Sequence, residues 1–463
     1  MKKRILALLM AVALVGTLLI ACGNNDAPPP AEEAPAEEAV VEDDPPEEVA
    51  EDPPEEAAPG EVTELLLWHI QTHELRAAVI QDAVDRFMAA NPQYVVEVVP
   101  IQNDVYKENI TIAMAADALP DVFMSWSGGP MIEYINAGHL YDLTDMVAAS
   151  DMHDRLLEGG MAQGQYNGRQ FAIPGESVAV SALWYNREMF DDLGLSAPTT
   201  VAELEEVAET LIANGIIPFA LANGPRWTGS MYFMNLATRY DGLGPFQNAV
   251  SGAGSFEDDS FVFAGETIQD WVERGFFAPG FNGADEDAGQ SRQLMYAEQA
   301  AMHVMGNWFM SQVRSEMPEF ESRLGVVPFP ALDGSSADAS IVIGTLGDNF
   351  YHVSATSVSP QGAFDLISFM TDDIAMAGRQ AAGAIPPIVG LEIPAEDDPY
   401  GLMAAMLAII ENASATQLWY DQYLPPEVAQ AHLNTLQEIF GLTMTPQEAN
   451  AEVQATIEAY RGR

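Results

Sequence analysis

The chain has 463 residues, 48% of them hydrophobic, with 69 acidic residues against 18 basic ones and a formal net charge of −51. That is enough apolar material for a folded body too large for one typical core and suited to two lobes. The acidity excludes nucleic acid as a partner, because phosphate recognition needs a basic surface.

The N-terminus predicts the compartment. Lys2, Lys3 and Arg4 precede an apolar run at 5–20, which is short for a membrane span and ends in Leu19-Ile20-Ala21-Cys22. A Cys directly after Leu-Ile-Ala resembles a bacterial lipobox, so residues 1–21 read as a signal peptide and Cys22 as the lipidated first mature residue. Cys22 is also the sole cysteine, so no intrachain disulfide is possible. Residues 22–61 form an acidic, proline-rich linker; from Asn24 to Glu61 there are fifteen acids, nine prolines and no Lys or Arg. Like charge at that density cannot support a core, so the segment reads as an extended stalk. Removing the three basic and fifteen acidic residues before Val62 leaves 15 against 54, a body charge of −39. Lys107 is its only lysine.

From residue 62 the pattern alternates. A strand is expected over 62–68, a helix over 74–89, a strand over 94–101, a helix over 105–118 and a strand over 121–125. That order predicts a parallel α/β sheet with ligands at the carboxyl ends of its strands. Thr200 and Glu203 form a capping box that starts a helix running to 212. A short strand is expected over 218–221. Helices are expected near 230–240, 266–273, 291–301 and 309–316. A strand then covers 325–329, an extended segment 341–353 and a helix 362–376. The C-terminal stretch reads as all-helical, with a second capping box at Thr445 and Glu448 and Pro446 at the first helical position.

Several motifs recur in order along this body. They are Leu119-Pro120-Asp121-Val122-Phe123; Gly138-His139-Leu140-Tyr141-Asp142-Leu143; Tyr166-Asn167-Gly168-Arg169 through Ile173-Pro174 to Trp184-Tyr185-Asn186-Arg187; Gln299-Ala300-Ala301-Met302 with Gly306-Asn307-Trp308; and Thr445-Pro446-Gln447-Glu448-Ala449. Together they resemble extracellular solute-binding protein family 1, the sugar-binding lipoproteins of ABC importers that include maltose-binding protein. Trp184 in place of an aliphatic residue and Gln299 in place of a common Lys depart from the pattern. The resemblance implies a two-lobed, class II-like periplasmic-binding-protein fold with a helical C-terminus. Lobe 1 would cover 62–177 with 341–371 returning to it, lobe 2 would cover 178–340, and 372–463 would complete lobe 2. It further implies a monomer that captures a carbohydrate by lobe closure outside the cytoplasm, tethered to the membrane through Cys22, and delivers it to ABC importer permease subunits.

A sugar offers hydroxyl edges and an apolar face, so its site needs indole or phenol platforms among fixed polar groups. Trp308 and Trp419 stand where the family places stacking tryptophans. Trp126 lies at a strand's carboxyl end, and Trp227 sits in a loop where a ligand would cover it. His69, Gln71 and His73 fall in the first strand-to-helix loop, which contributes polar contacts in the family. Glu176 follows Pro174-Gly175 at the crossover, Asn307 adjoins Trp308, and Asp348 sits in Gly-Thr-Leu-Gly-Asp-Asn, where glycine lets backbone approach a ligand. Trp68, Trp184 and Trp271 read as core.

An enzyme is the competing class. No Gly-x-Ser-x-Gly elbow or Walker loop is present, and no spacing singles out two carboxylates for glycoside hydrolysis. The acids at 258–259 and 285–287 do not follow a calcium loop, and the histidines lack zinc spacing, so no metal or cofactor is expected. A non-sugar solute remains the alternative cargo.

Overall fold

The computed structural model describes residues 62–463; the signal segment, Cys22 and the acidic linker lie outside the described residues. The first lobe opens with β1 (Thr63–His69), α1 (Glu74–Ala90), β2 (Tyr94–Pro100), α2 (Asn103–Ala115), β3 (Val122–Ser125) and α3 (Gly129–Asn136). Strand β1 pairs in parallel with β2 on one side and β3 on the other. The two-residue period of β3 splits its side chains between two cores. Val122 and Met124 join Leu65, Leu67, Ile80, Val84 and Phe87 under α1. Phe123 joins Tyr106, Ile110 and Trp126 on the opposite face. Each fully buried Leu or Phe contributes about 1.5–3 kcal/mol.

Strand β4 (Ile173–Asn186) leaves this lobe and enters the next. There follow α4 (Val201–Ala213), β5 (Ile217–Phe219), α5 (Trp227–Asp241), α6 (Asp259–Glu273), α7 (Gln290–Tyr296), β6 (Ala300–Gly306), α8 (Trp308–Glu316), β7 (Leu324–Val327) and β8 (Val342–Val353). Both reciprocal bonds of the Thr200–Glu203 capping box form at the start of α4. The strand order is β2-β1-β3-β8-β4-β6-β5, with β7 also paired to β4. The second core gathers Trp184, Phe219, Trp271, Met302 and Phe309, with Phe219 stacked on Trp271 at 5.6 Å. Trp68 is half-buried against the first lobe's Phe123 core.

Two strands belong to both lobes. The start of β4 pairs with β8 at Ile173–Tyr351, while its end pairs with β6 from Ser181 to Tyr185. The register of β8 slips on either side of Asp348, a bulge placed between the lobes. The chain continues through α9 (Pro360–Met370), α10 (Asp373–Ala381), α11 (Leu402–Glu411), β9 (Thr416–Gln417), α12 (Pro426–Phe440) and α13 (Pro446–Arg461). A third crossing follows α10, where the Val178 amide donates to the Ile385 carbonyl at 2.7 Å.

Four expectations change. The helix expected over 291–301 stops at Tyr296, and Ala300 to Gly306 form a central strand. Its Ala and Met residues favour helix, and pairing with β4 overrides that preference. The helix expected over 362–376 is two helices, because the Asp372 carboxylate accepts from the Ala375 amide at 2.8 Å and starts a new one. That second helix, α10, puts Ala375 and Met376 into the first lobe's core, so the returning segment extends past 371. The C-terminal stretch also carries β9, paired with β8.

Candidate functional site

A cleft of about 1050 Å³, counted to its open mouth, lies between the lobes at the carboxyl ends of β1 and β3 and over the β8 bulge. Its walls are aromatic. Trp126 comes from the first lobe; Trp227, Trp308 and Trp419 come from the second. Trp308 stands between two of them, 6.0 Å from Trp227 and 5.9 Å from Trp419, centroid to centroid. Trp308 opens α8, and Trp227 opens α5 after Arg226, whose φ of 72° is left-handed. Arg226 itself is spent on Gln437 at 2.9 Å.

Polar groups lie between the rings. Gln71 and His73 line the cleft from the β1–α1 loop, and Asp348 lines it from the bulge. Burial pushes the Asp348 carboxyl up to about 7, with Arg76 opposing. Near neutral pH it can therefore donate as well as accept. Asn349 donates to Asp348 at 2.9 Å and sits at a left-handed φ of 56°. Burial and Arg292 both lower the His73 imidazole, which faces Glu316 of the other lobe at 3.5 Å.

Several buried side-chain atoms of residues that line this space have no hydrogen-bond partner: the indole nitrogens of Trp227 and Trp419, Asn349 Oδ1, Ser311 Oγ and Gln312 Oε1. Leaving such groups unmade costs about 1–3 kcal/mol each, so a ligand that supplies partners recovers that energy.

Three of the residues singled out from sequence stand behind the wall instead of in it. His69 is buried at the end of β1, where Nδ1 accepts from the Gln71 amide at 3.1 Å and shapes the loop. Burial lowers its imidazole to about 4, so it is neutral. The Glu176 carboxylate takes Arg76 Nη2 and Arg379 Nη2, each at 2.8 Å, and the Tyr351 hydroxyl. The Asn307 amide donates to the Val178 carbonyl and accepts from the Val180 amide, each at 2.9 Å, clamping β4 where it crosses. Both polar side-chain atoms of Glu176 and of Asn307 are already taken by protein partners.

Sequence reasoning missed Arg76, Lys107, Asp287, Asp421 and Gln422, which also line the cleft. Arg76 is held there by Glu176. Lys107 lies 5.1 Å from the Trp126 ring and 5.9 Å from the Trp227 ring. Its uniqueness as a body lysine was the one signal available. The lobes meet beside the cleft at Gly128 and Gly129. A Cβ on Gly129 would lie 2.1 Å from the Leu424 carbonyl oxygen. Among the described residues, no group of three or more His, Cys, Asp or Glu side chains is placed to hold a metal ion.

Two α/β lobes, crossed by shared strands and enclosing a polar and aromatic cleft, define a two-lobed solute-binding protein. Residues 71–377 match the family model of the bacterial extracellular solute-binding proteins, and the chain belongs to that family. An uncharacterized ABC transporter extracellular-binding protein of Pyrococcus horikoshii is 24% identical over 87% of this chain and 88% of its own length. The multiple sugar-binding protein of Streptococcus mutans is 25% identical over 65% of this chain and 69% of its own. One solved structure comes from work on xylan utilization by the thermophilic bacterium Caldanaerobius polysaccharolyticus. It is 28% identical, with a TM-score of 0.79, and covers 85% of this chain and 99% of that one. A chitin oligosaccharide binding protein shares the fold at a TM-score of 0.78 and 23% identity, covering 87% and 100% of the two chains. Among the described residues, no helix is long and apolar enough to cross a membrane.

Proposed function

We propose that this protein captures a carbohydrate, an oligosaccharide in preference to a single sugar unit, by closing its lobes, and hands it to an ABC importer. The observation that carries the reading is the convergence of four indoles with unpartnered buried donors and acceptors in one cleft. Indole faces match the C–H face of a pyranose, and the orphaned atoms match its hydroxyl edge. Rings spread along the cleft suit several sugar units. The sugar-binding names of its relatives agree with that chemistry. We read the protein as a binding protein and not an enzyme. Attachment through a lipidated Cys22, with residues 22–61 as a stalk, would keep the monomeric body near the importer.

The test is a titration of indole fluorescence in the full chain against xylo-, chito- and malto-oligosaccharides and raffinose, with Trp308→Ala beside it. One sugar should give a saturable change, and the variant should bind it at least about thirtyfold more weakly, as for a central aromatic anchor. A flat response to every sugar would overturn the carbohydrate reading. Slow release of shorter products would point to an enzyme.

A further inference from the structure

Helix α2 begins without a cap of its own: Gln102 stands at the N-cap position and its side chain bonds to no helix amide. The partner comes from the opposite lobe. The Asp104 amide, in the first turn, donates to Asp287 Oδ2 at 2.8 Å. Tyr106 and Ile110 root α2 in the first lobe. Asp287 belongs to the second lobe, in the segment just ahead of α7, whose Met295 and Tyr296 sit in that lobe's core. Its neighbours hold it in place. The Asp285 amide donates to Gln290 at 2.9 Å, the Ala288 amide donates to Asp285 at 3.0 Å, and Arg292 binds Glu286 at 2.8 Å. The capped turn also presents Asn103 and Lys107 to the cleft.

We propose that Asp287 is a helix cap supplied in trans, a positioning residue that latches the lobes and fixes the α2 turn against the ligand. The idea rests on the lobe-closure reading above. A carboxylate at a helix N-terminus satisfies an orphan donor and opposes the macrodipole. In an opened cleft that amide would bond water, so the cap favours closed lobes whether or not a ligand is present. The latch is not optimal, since Asp104 carries a second negative charge beside Asp287. Such a bond should act mainly on dissociation, because it forms after encounter.

The full chain would be compared as wild type, Asp287→Ala, Asp287→Asn and Asp104→Asn. Deuterium uptake of residues 102–107 is followed without sugar, and release of xylotriose, chitotriose or maltotriose is followed by stopped-flow indole fluorescence. Asp287→Ala should raise uptake and speed release by about fivefold, the usual worth of a cap, with association nearly constant. Asp287→Asn should fall between it and wild type. Asp104→Asn keeps the amide donor and removes the like charge, so release should slow. A purely structural role for Asp287 would not give opposite signs at the two positions. Unchanged uptake at 102–107 in Asp287→Ala overturns the latch. If no sugar binds wild type, the carbohydrate reading fails, and the uptake comparison still decides the latch.

Discussion

Replacing Glu176 by Gln should cost stability at the crossing strands, and the loss should shrink in acid. The carboxylate is buried at 1% exposure and bonds Arg76 and Arg379 at 2.8 Å each. Burial alone would raise its pKa, but the two guanidinium groups and the Tyr351 hydroxyl outweigh burial and hold it at about 2. Against the usual 4.5, that depression corresponds to about 3 kcal/mol. Removing the charge also strands two buried guanidiniums, which places the loss within the ~3–5 kcal/mol seen for broken buried pairs. For a body of some 400 residues, unfolding entropy near 0.8 kcal/mol per kelvin converts about 3 kcal/mol into a melting shift of roughly 4 °C. The folded value is depressed, so the contribution is complete above 4.5 and is lost as pH falls toward 2. Urea unfolding of wild type and Glu176→Gln should therefore differ by about 3 kcal/mol at pH 7 and about 2 kcal/mol at pH 3.5. A constant gap across that range would refute the ionised network. Sugar affinity should fall modestly, through loosened Arg76, and not through loss of a direct contact.

Two further outcomes follow from the packing. Gly129→Ala should weaken sugar binding more than about tenfold, because its Cβ would meet the Leu424 carbonyl where the lobes touch; calorimetry beside far-UV dichroism checks that the fold survives. Burial lowers the imidazoles of His303 and His432 to about 4 each, so both are neutral when folded. Their unfolded value is 6.5, so stability is given up as pH falls from about 6.5 toward 4, by roughly 2 kcal/mol per histidine at pH 5. His432→Gln should flatten that slope in urea titrations; an unaltered slope would refute its share.

The first lobe was legible because each of its elements carries its own period. Strand β1, helix α1 and strand β2 are each apolar on the face that packs, and Asn91-Pro92 marks the break between them. Strand β6 was not legible. Ala300, Ala301 and Met302 lack β-branching, and the strand is buried along its whole length, so it shows no alternation. The break between α9 and α10 was equally local and equally missable, since Asp372 reads as one more polar helix residue until its carboxylate is seen to cap.

The site divides along a different line. Indoles were readable because a tryptophan in a loop or at a strand end needs something to cover it. Polar residues were not, because sequence cannot say whether a buried carboxylate meets a ligand or an arginine. Glu176 and Asp348 show the difference. They are near neighbours across the crossing strands β4 and β8, Asp348 standing opposite Ser177, the residue after Glu176. Glu176 has Arg76 and Arg379 and is held ionised; Asp348 has only an asparagine amide and is pushed up to about 7. Glu176 is the counter-ion of two arginines where the strands cross, while Asp348, at the bulge that slips the β8 register, lines the cleft. Asp348 lines the cleft with Asn349 as its one side-chain partner, beside residues that carry unpartnered indole and amide atoms, so a solute that completes these bonds would couple recognition to lobe closure.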